Sequence, residues 1–112
     1  MEFTQLSNQY EKNKYTNREE AQHILEHMRQ IAESKKDIRI WGKYHYYVAN
    51  LGYIKGDLQA AYESALKSIS LLIQSPVCKE LAFCYNILGG SASARGDRLQ
   101  ALDCYIDGAN YA

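Results

Sequence analysis

His23, Glu26 and His27 spell H-x-x-E-H within His23-Ile24-Leu25-Glu26-His27, a pattern with reactive potential. On a helix the two imidazoles lie one turn apart and can share a zinc ion, with the carboxylate as general base. Against that use, no motif supplies a third ligand, and both histidines fall on the polar side of an amphipathic helix. The expectation is a solvated face and no metal. Tyr44-His45-Tyr46-Tyr47 reads like an aromatic recognition box, but a helix sends consecutive side chains in different directions. Most of the four belong in the core, with Tyr46 the candidate for a binding surface. His45 has no Ser or Cys motif beside it, so no nucleophile, base and orienting group can be assembled. Gly89-Gly90 lies inside a helical pattern rather than in a phosphate loop, where small residues allow close packing or leave room for a bound side chain. Cys78, Cys84 and Cys104 are an odd number without CxxC spacing, the pattern of reduced thiols rather than of a disulfide or zinc framework. The segment reads as non-enzymatic and without a cofactor.

All of these residues fall in helical patterns, and nothing in the chain reads as strand. Phe3, Leu6 and Tyr10 mark a short first helix over 2–14. Asn17 with Glu20 three places on forms a capping box. It opens a helix whose apolar stripe is Ala21, Ile24, Leu25, Met28, Ile31 and Ala32, ending near Ser34-Lys35-Lys36. Asp37 caps a third helix to about Lys55, apolar nearly all round through Ile38, Ile40, Trp41, Tyr44, Tyr47, Val48, Leu51 and Ile54. Gly56 ends it and Asp57 starts a fourth helix at once, with Ala61, Tyr62, Ala65, Leu66, Ile69, Leu72 and Ile73 as the inward stripe. Ser75-Pro76 supplies a cap and a first helical position for the fifth, which carries Leu81, Ala82, Tyr85, Leu88, Gly89 and Ala92. The sixth runs from Asp97 towards Tyr111, with Leu99, Ala101, Leu102, Tyr105 and Ala109 inward.

These helices repeat. Gly56-Asp57-Leu58-Gln59-Ala60-Ala61-Tyr62 returns forty residues later as Gly96-Asp97-Arg98-Leu99-Gln100-Ala101-Leu102, and a degenerate copy stands forty residues earlier at Thr16-Asn17-Arg18-Glu19-Glu20-Ala21-Gln22. Such a period is the mark of stacked supersecondary units. Leu88-Gly89, Gly96-Asp97, Ala101 and Tyr105 resemble the tetratricopeptide repeat: Leu-Gly in a first helix, a Gly-Asp turn, then a small Ala and an aromatic in the second. In the middle copy Val48-Ala49 stand for Leu-Gly and Ala65 for the aromatic. In the first copy the likeness rests on Ala21, Leu25 and Met28. The period exceeds the usual 34 or so residues of that family.

The resemblance, over about residues 17–112, implies an all-α fold. Three antiparallel hairpins, about 1–35, 37–75 and 76–112, would stack as a single right-handed α-solenoid. It also implies a concave groove lined by first helices, through Lys43, Tyr46, Asn50 and Tyr53 in the middle hairpin and Phe83, Asn86, Gly90 and Ser93 in the last. That groove would take an extended peptide or a partner helix. Tyr46 stands where a carboxylate clamp would place a Lys, so a clamp is not expected. In this architecture the array sits N-terminal to a signalling output such as a diguanylate cyclase or a transcription regulator, as a sensor segment. The alternative is a structural module that dimerises through its unfinished last hairpin, at Tyr105 and Tyr111, and takes no separate ligand.

Composition narrows the partners. With 13 basic and 13 acidic residues among 112, the chain has no net field, which argues against nucleic acid. No apolar run approaches the roughly 18 residues of a membrane span, and Met1-Glu2-Phe3-Thr4-Gln5-Leu6 lacks the basic and apolar regions of a signal peptide. A cytoplasmic protein with a protein or peptide partner is the expectation, and the missing cap on the last helix suggests the front part of a longer chain.

Overall fold

One turn, used three times, sets the fold. In the computed structural model, which describes residues 2–73 and 78–110, the side chains of Asn17, Asp57 and Asp97 each accept a hydrogen bond from the backbone N–H three residues on, at Glu20, Ala60 and Gln100 (3.1, 3.3 and 3.1 Å). Each of these residues also offers its carbonyl to the amide of Ala21, Ala61 or Ala101 at 3.0 Å. One of the amides left without a partner at the start of a helix is thereby satisfied, and the first intrahelical bond is made, in the same way at every copy. Gly56 and Gly96 precede the later two caps with φ of +83° and +82°, a conformation that penalises a Cβ. The amides of Asp57 and Asp97 return to the carbonyls of Gly52 and Ala92 at 2.9 Å, closing the preceding helices. The first turn manages without glycine, with the Asn17 amide on the Asn13 carbonyl at 2.8 Å.

Between these turns run α1 (Phe3–Asn13), α2 (Arg18–Lys35), α3 (Ile38–Lys55), α4 (Leu58–Leu72), α5 (Lys79–Ala94) and α6 (Arg98–Asn110). The described residues contain no strand. Asp37 caps α3 by accepting from the Arg39 amide at 2.8 Å, after Lys36 has turned the chain in the left-handed region. The expected cap at Ser75 and first helical position at Pro76 lie outside the described residues; α5 begins at Lys79, behind Cys78. Each helix packs on its neighbours in sequence, and α3 also meets α5. The whole measures 41 × 31 × 19 Å.

The inward face of α2 is the expected stripe: Ala21, Ile24, Leu25, Met28 and Ala32 are buried, with Ile31 at its margin. Two other helices turn a different face. On α4 the buried line is Ala61, Ala65, Ser68 and Leu72, while Leu66 and Ile73 are exposed. Ser68 earns its place by donating to the Gly42 carbonyl at 2.6 Å, at a crossing so close that a Cβ on Gly42 would sit 2.6 Å from the Leu72 side chain. On α6 the buried residues are Ala101, Cys104 and Gly108. Leu99 (79% exposed) and Leu102 face outward with Ile106, against the expectation that these two leucines pack inward, while Tyr105 is half-exposed with its ring on Gly89. The seam with α5 is made of small residues, with the Tyr105 ring laid on Gly89, so the leucines are displaced from it. Ala109 and Tyr111 lie outside the residues whose side chains are described. Cys84 is fully buried, and burial pushes its thiol up to about 12; all three cysteines are free. Among the described residues no helix is long and apolar enough to cross a membrane.

Candidate functional site

Three of the helices lie side by side and present one cleft. The Tyr10 hydroxyl of α1 donates to Asn50 Oδ1 of α3 at 2.6 Å. Tyr10 and Phe3 also pack their rings against Tyr47 of α3, at centroid distances of 5.2 and 6.3 Å. On the other side of α3, Tyr46 meets Phe83 of α5 with centroids 6.0 Å apart. The cleft has a volume of about 640 Å³. It is lined by Glu11, Lys14 and Tyr15 at the end of α1, by Tyr46, Asn50, Tyr53 and Ile54 of α3, by Lys79, Phe83, Asn86 and Ile87 of α5, and by Tyr105 of α6.

Of the eight residues expected to line a groove, Tyr46, Asn50, Tyr53, Phe83 and Asn86 come together here. Tyr46 is its floor rather than an open wall, only 5% exposed, and burial raises its hydroxyl above the ordinary tyrosine range, so it stays protonated as a donor. Gly90 leaves no vacancy for a ligand, because the Tyr53 hydroxyl occupies the space a Cβ would take. Gly89 does the same for the ring of Tyr105. The two glycines are thus sockets for the chain's own tyrosines. Lys43 and Ser93 are not among the lining residues; Lys43 stands about one turn, and Ser93 nearly two turns, beyond them along its helix. Tyr105, expected at an oligomer interface, is half-exposed and borders the cleft.

Sequence reasoning missed Glu11, Lys14, Tyr15 and Lys79. The signal for the first three was present: the forty-residue offset that relates the turns also sets Tyr10 on Asn50 and Lys14 on Ile54. Charge in the cleft is largely cancelled, since Lys14 pairs with Glu11 at 2.5 Å and lies 5.2 Å from the Tyr15 ring centre. Lys79 makes no ion pair among the described residues.

The other chemical candidates lie apart. His23 and His27 are exposed on α2. Glu26 between them is held by Arg29, which also reaches Glu33, and the Arg29 hydrogen bond keeps the Glu26 carboxyl below its usual range. That pairing ties down the carboxylate a zinc site would use as a base. No group of three or more His, Cys, Asp or Glu that could hold a metal comes together among the described residues. His45 stacks on Trp41 at 5.9 Å, and burial, helped by the nearby Lys67 charge, lowers its pKa; it is a packed side chain. Compared with known proteins, the chain matches no family model, no curated protein and no solved structure.

Proposed function

We propose that this chain is a protein-interaction module of tetratricopeptide-like build, a right-handed stack of three antiparallel hairpins whose first helices bind a peptide. One observation carries the reading. Five residues from two helices, chosen by their place in the repeat, converge on a single cleft with α1 as its far wall. Aromatic side chains supply contact area at low entropic cost, and amides supply adaptable hydrogen bonds, the mixture found in peptide-binding surfaces. On this reading the segment is not itself an enzyme. It regulates a larger cytoplasmic signalling protein by occupancy of the cleft.

Peptides selected from a random display library against the immobilised chain test this. Phe83→Ala is expected to weaken their binding at least about tenfold, or about 1.4 kcal/mol, with the circular dichroism spectrum unchanged. Full affinity in both Phe83→Ala and Asn86→Ala would remove the cleft from the account.

A second reading, self-association without a ligand, draws on the outward stripe of Leu99, Leu102 and Ile106 on α6. Spaced at i, i+3 and i+7, these side chains form one apolar face. Under this reading sedimentation equilibrium shows a dimer that Leu102→Glu converts to monomer. A monomer at high concentration before any substitution discards it.

A further inference from the structure

We propose that a second pocket, set between α4 and the end of α5, binds a carboxylate group on Arg95, with the Ser91 hydroxyl at its floor. The pocket shares no residue with the cleft, so this site goes beyond the peptide reading and stands or falls apart from it.

Helix periodicity assembles it. Leu58 and Tyr62 stand one turn apart on α4, and Ser91 of α5 stands one turn before Arg95, the C-cap of that helix. With Gln59 they line a pocket of about 230 Å³. That is several times the roughly 30 Å³ share of one water, yet below the roughly 300 Å³ at which pockets for larger ligands begin. One small group fits. Arg95 is held ready for it: its guanidinium lies 4.7 Å from the Tyr62 ring centre, and its Nη2 donates to Gln100 Oε1 at 3.1 Å. Gln100 is itself fixed, since its Nε2 donates to the Tyr62 hydroxyl at 3.1 Å. A guanidinium has five N–H groups, so most of the fork is left for a ligand and little ordering remains to be done.

Charge, not a count of donors, selects the ligand. The hydroxyls of Tyr62 and Ser91 can accept as well as donate, and Gln59, whose NH2 is on Glu63 at 3.1 Å, keeps an acceptor oxygen. Arg95, however, is the only charged residue lining the pocket, and among the described residues it pairs with no carboxylate. The dipole of α5 accounts for a cation at that helix end. It does not account for Ser91, which is 2% exposed and whose Oγ has no hydrogen-bond partner. A helical serine can turn its hydroxyl back to the carbonyl four residues earlier, and this one does not. A buried hydroxyl in that state costs stability, and an occupant of the pocket with an acceptor oxygen removes the cost. A carboxylate meets both needs: its two oxygens match the arginine fork, and its single charge matches the single cation. A phosphate dianion would leave one charge unbalanced in a half-enclosed site.

The experiment is an NMR titration of the whole chain, read at the Ser91 amide and the Arg95 side-chain N–H, with sodium acetate, sodium chloride at equal ionic strength, and acetamide. Acetate is expected to give a saturable shift with a midpoint of about 1–10 mM, and the other two none. Arg95→Lys, which keeps the charge but loses the fork, should weaken acetate at least about tenfold. Ser91→Ala should weaken it at least about threefold while leaving the melting temperature of the free chain unchanged or higher, which a purely structural serine would not do. The blocked tripeptide Ala-Glu-Ala identifies the source of the carboxylate. Saturation of the same signals at lower concentration than acetate assigns the site to an acidic side chain of a partner, and no gain over acetate assigns it to a free acid. The site is overturned if acetate shifts these signals no further than chloride, if acetamide binds as well, or if Ser91→Ala keeps full affinity.

Discussion

Replacing Leu72 with alanine is expected to cost about 2–5 kcal/mol of folding stability, the range for removing a large aliphatic side chain from a packed interior. Leu72 is fully buried at the end of the α4 stripe, and it is the side chain against which Gly42 of α3 is fitted. That fit makes a companion variant informative. Gly→Ala inside a helix ordinarily gains up to about 1 kcal/mol. At Gly42 the added methyl would lie 2.6 and 2.7 Å from Leu72 Cδ2 and Cγ, so Gly42→Ala should instead lose about 1–3 kcal/mol by overpacking. The pair should not add. With Leu72 shortened, the methyl of Gly42→Ala enters the vacated space, and the double variant should recover about 0.5–3 kcal/mol relative to the sum. Urea denaturation of the four chains reads this directly. A Gly42→Ala chain as stable as the parent would show that α3 and α4 are not held as closely as described.

Tyr10→Ala is the second large effect, about 3–5 kcal/mol by analogy with other buried aromatics, and it should be local. Leu6 and Tyr10 are the only residues that α1 buries, and Tyr10 holds α3 through both the Tyr47 ring and Asn50. Losing it should free α1 while α3 to α5 stay folded, so that hydrogen exchange accelerates over residues 3–13 and little elsewhere. Tyr10→Phe keeps the ring and removes the hydroxyl, at about 1 kcal/mol. Uniform loss of protection across the chain after Tyr10→Ala would mean that α1 is part of one cooperative unit rather than a docked element.

The parts of this fold that depend on local rules were legible. Asn17, Asp37, Asp57 and Asp97 stand at the starts of helices because their short acceptors compete for free amides, a preference that survives any packing. The α2 stripe was legible too, because its polar face is strongly charged. The inner faces of α4 and α6 were not. There the helices approach so closely that Ser68, Cys104 and Gly108 outrank Leu66, Leu99 and Leu102, and size at a crossing overrides hydrophobicity. In the cleft, the aromatic and amide residues of α3 and α5 followed from repeat position. Lys79 and the α1 residues required knowing where the first helix lies, and the fact that Gly90 is already filled required coordinates.

The recurrence of one turn also governs how the chain reaches this state and how it would leave it. Helices that pack chiefly on their sequence neighbours form contacts across short loops, so each step of assembly closes little chain and loses little entropy. Each helix leans chiefly on the one before it and the one after it. Under tension applied at its two ends, such a molecule peels: α1 and α6 detach first, and the α3–α4 crossing, locked by Gly42, Ser68 and Leu72, is the last to give way.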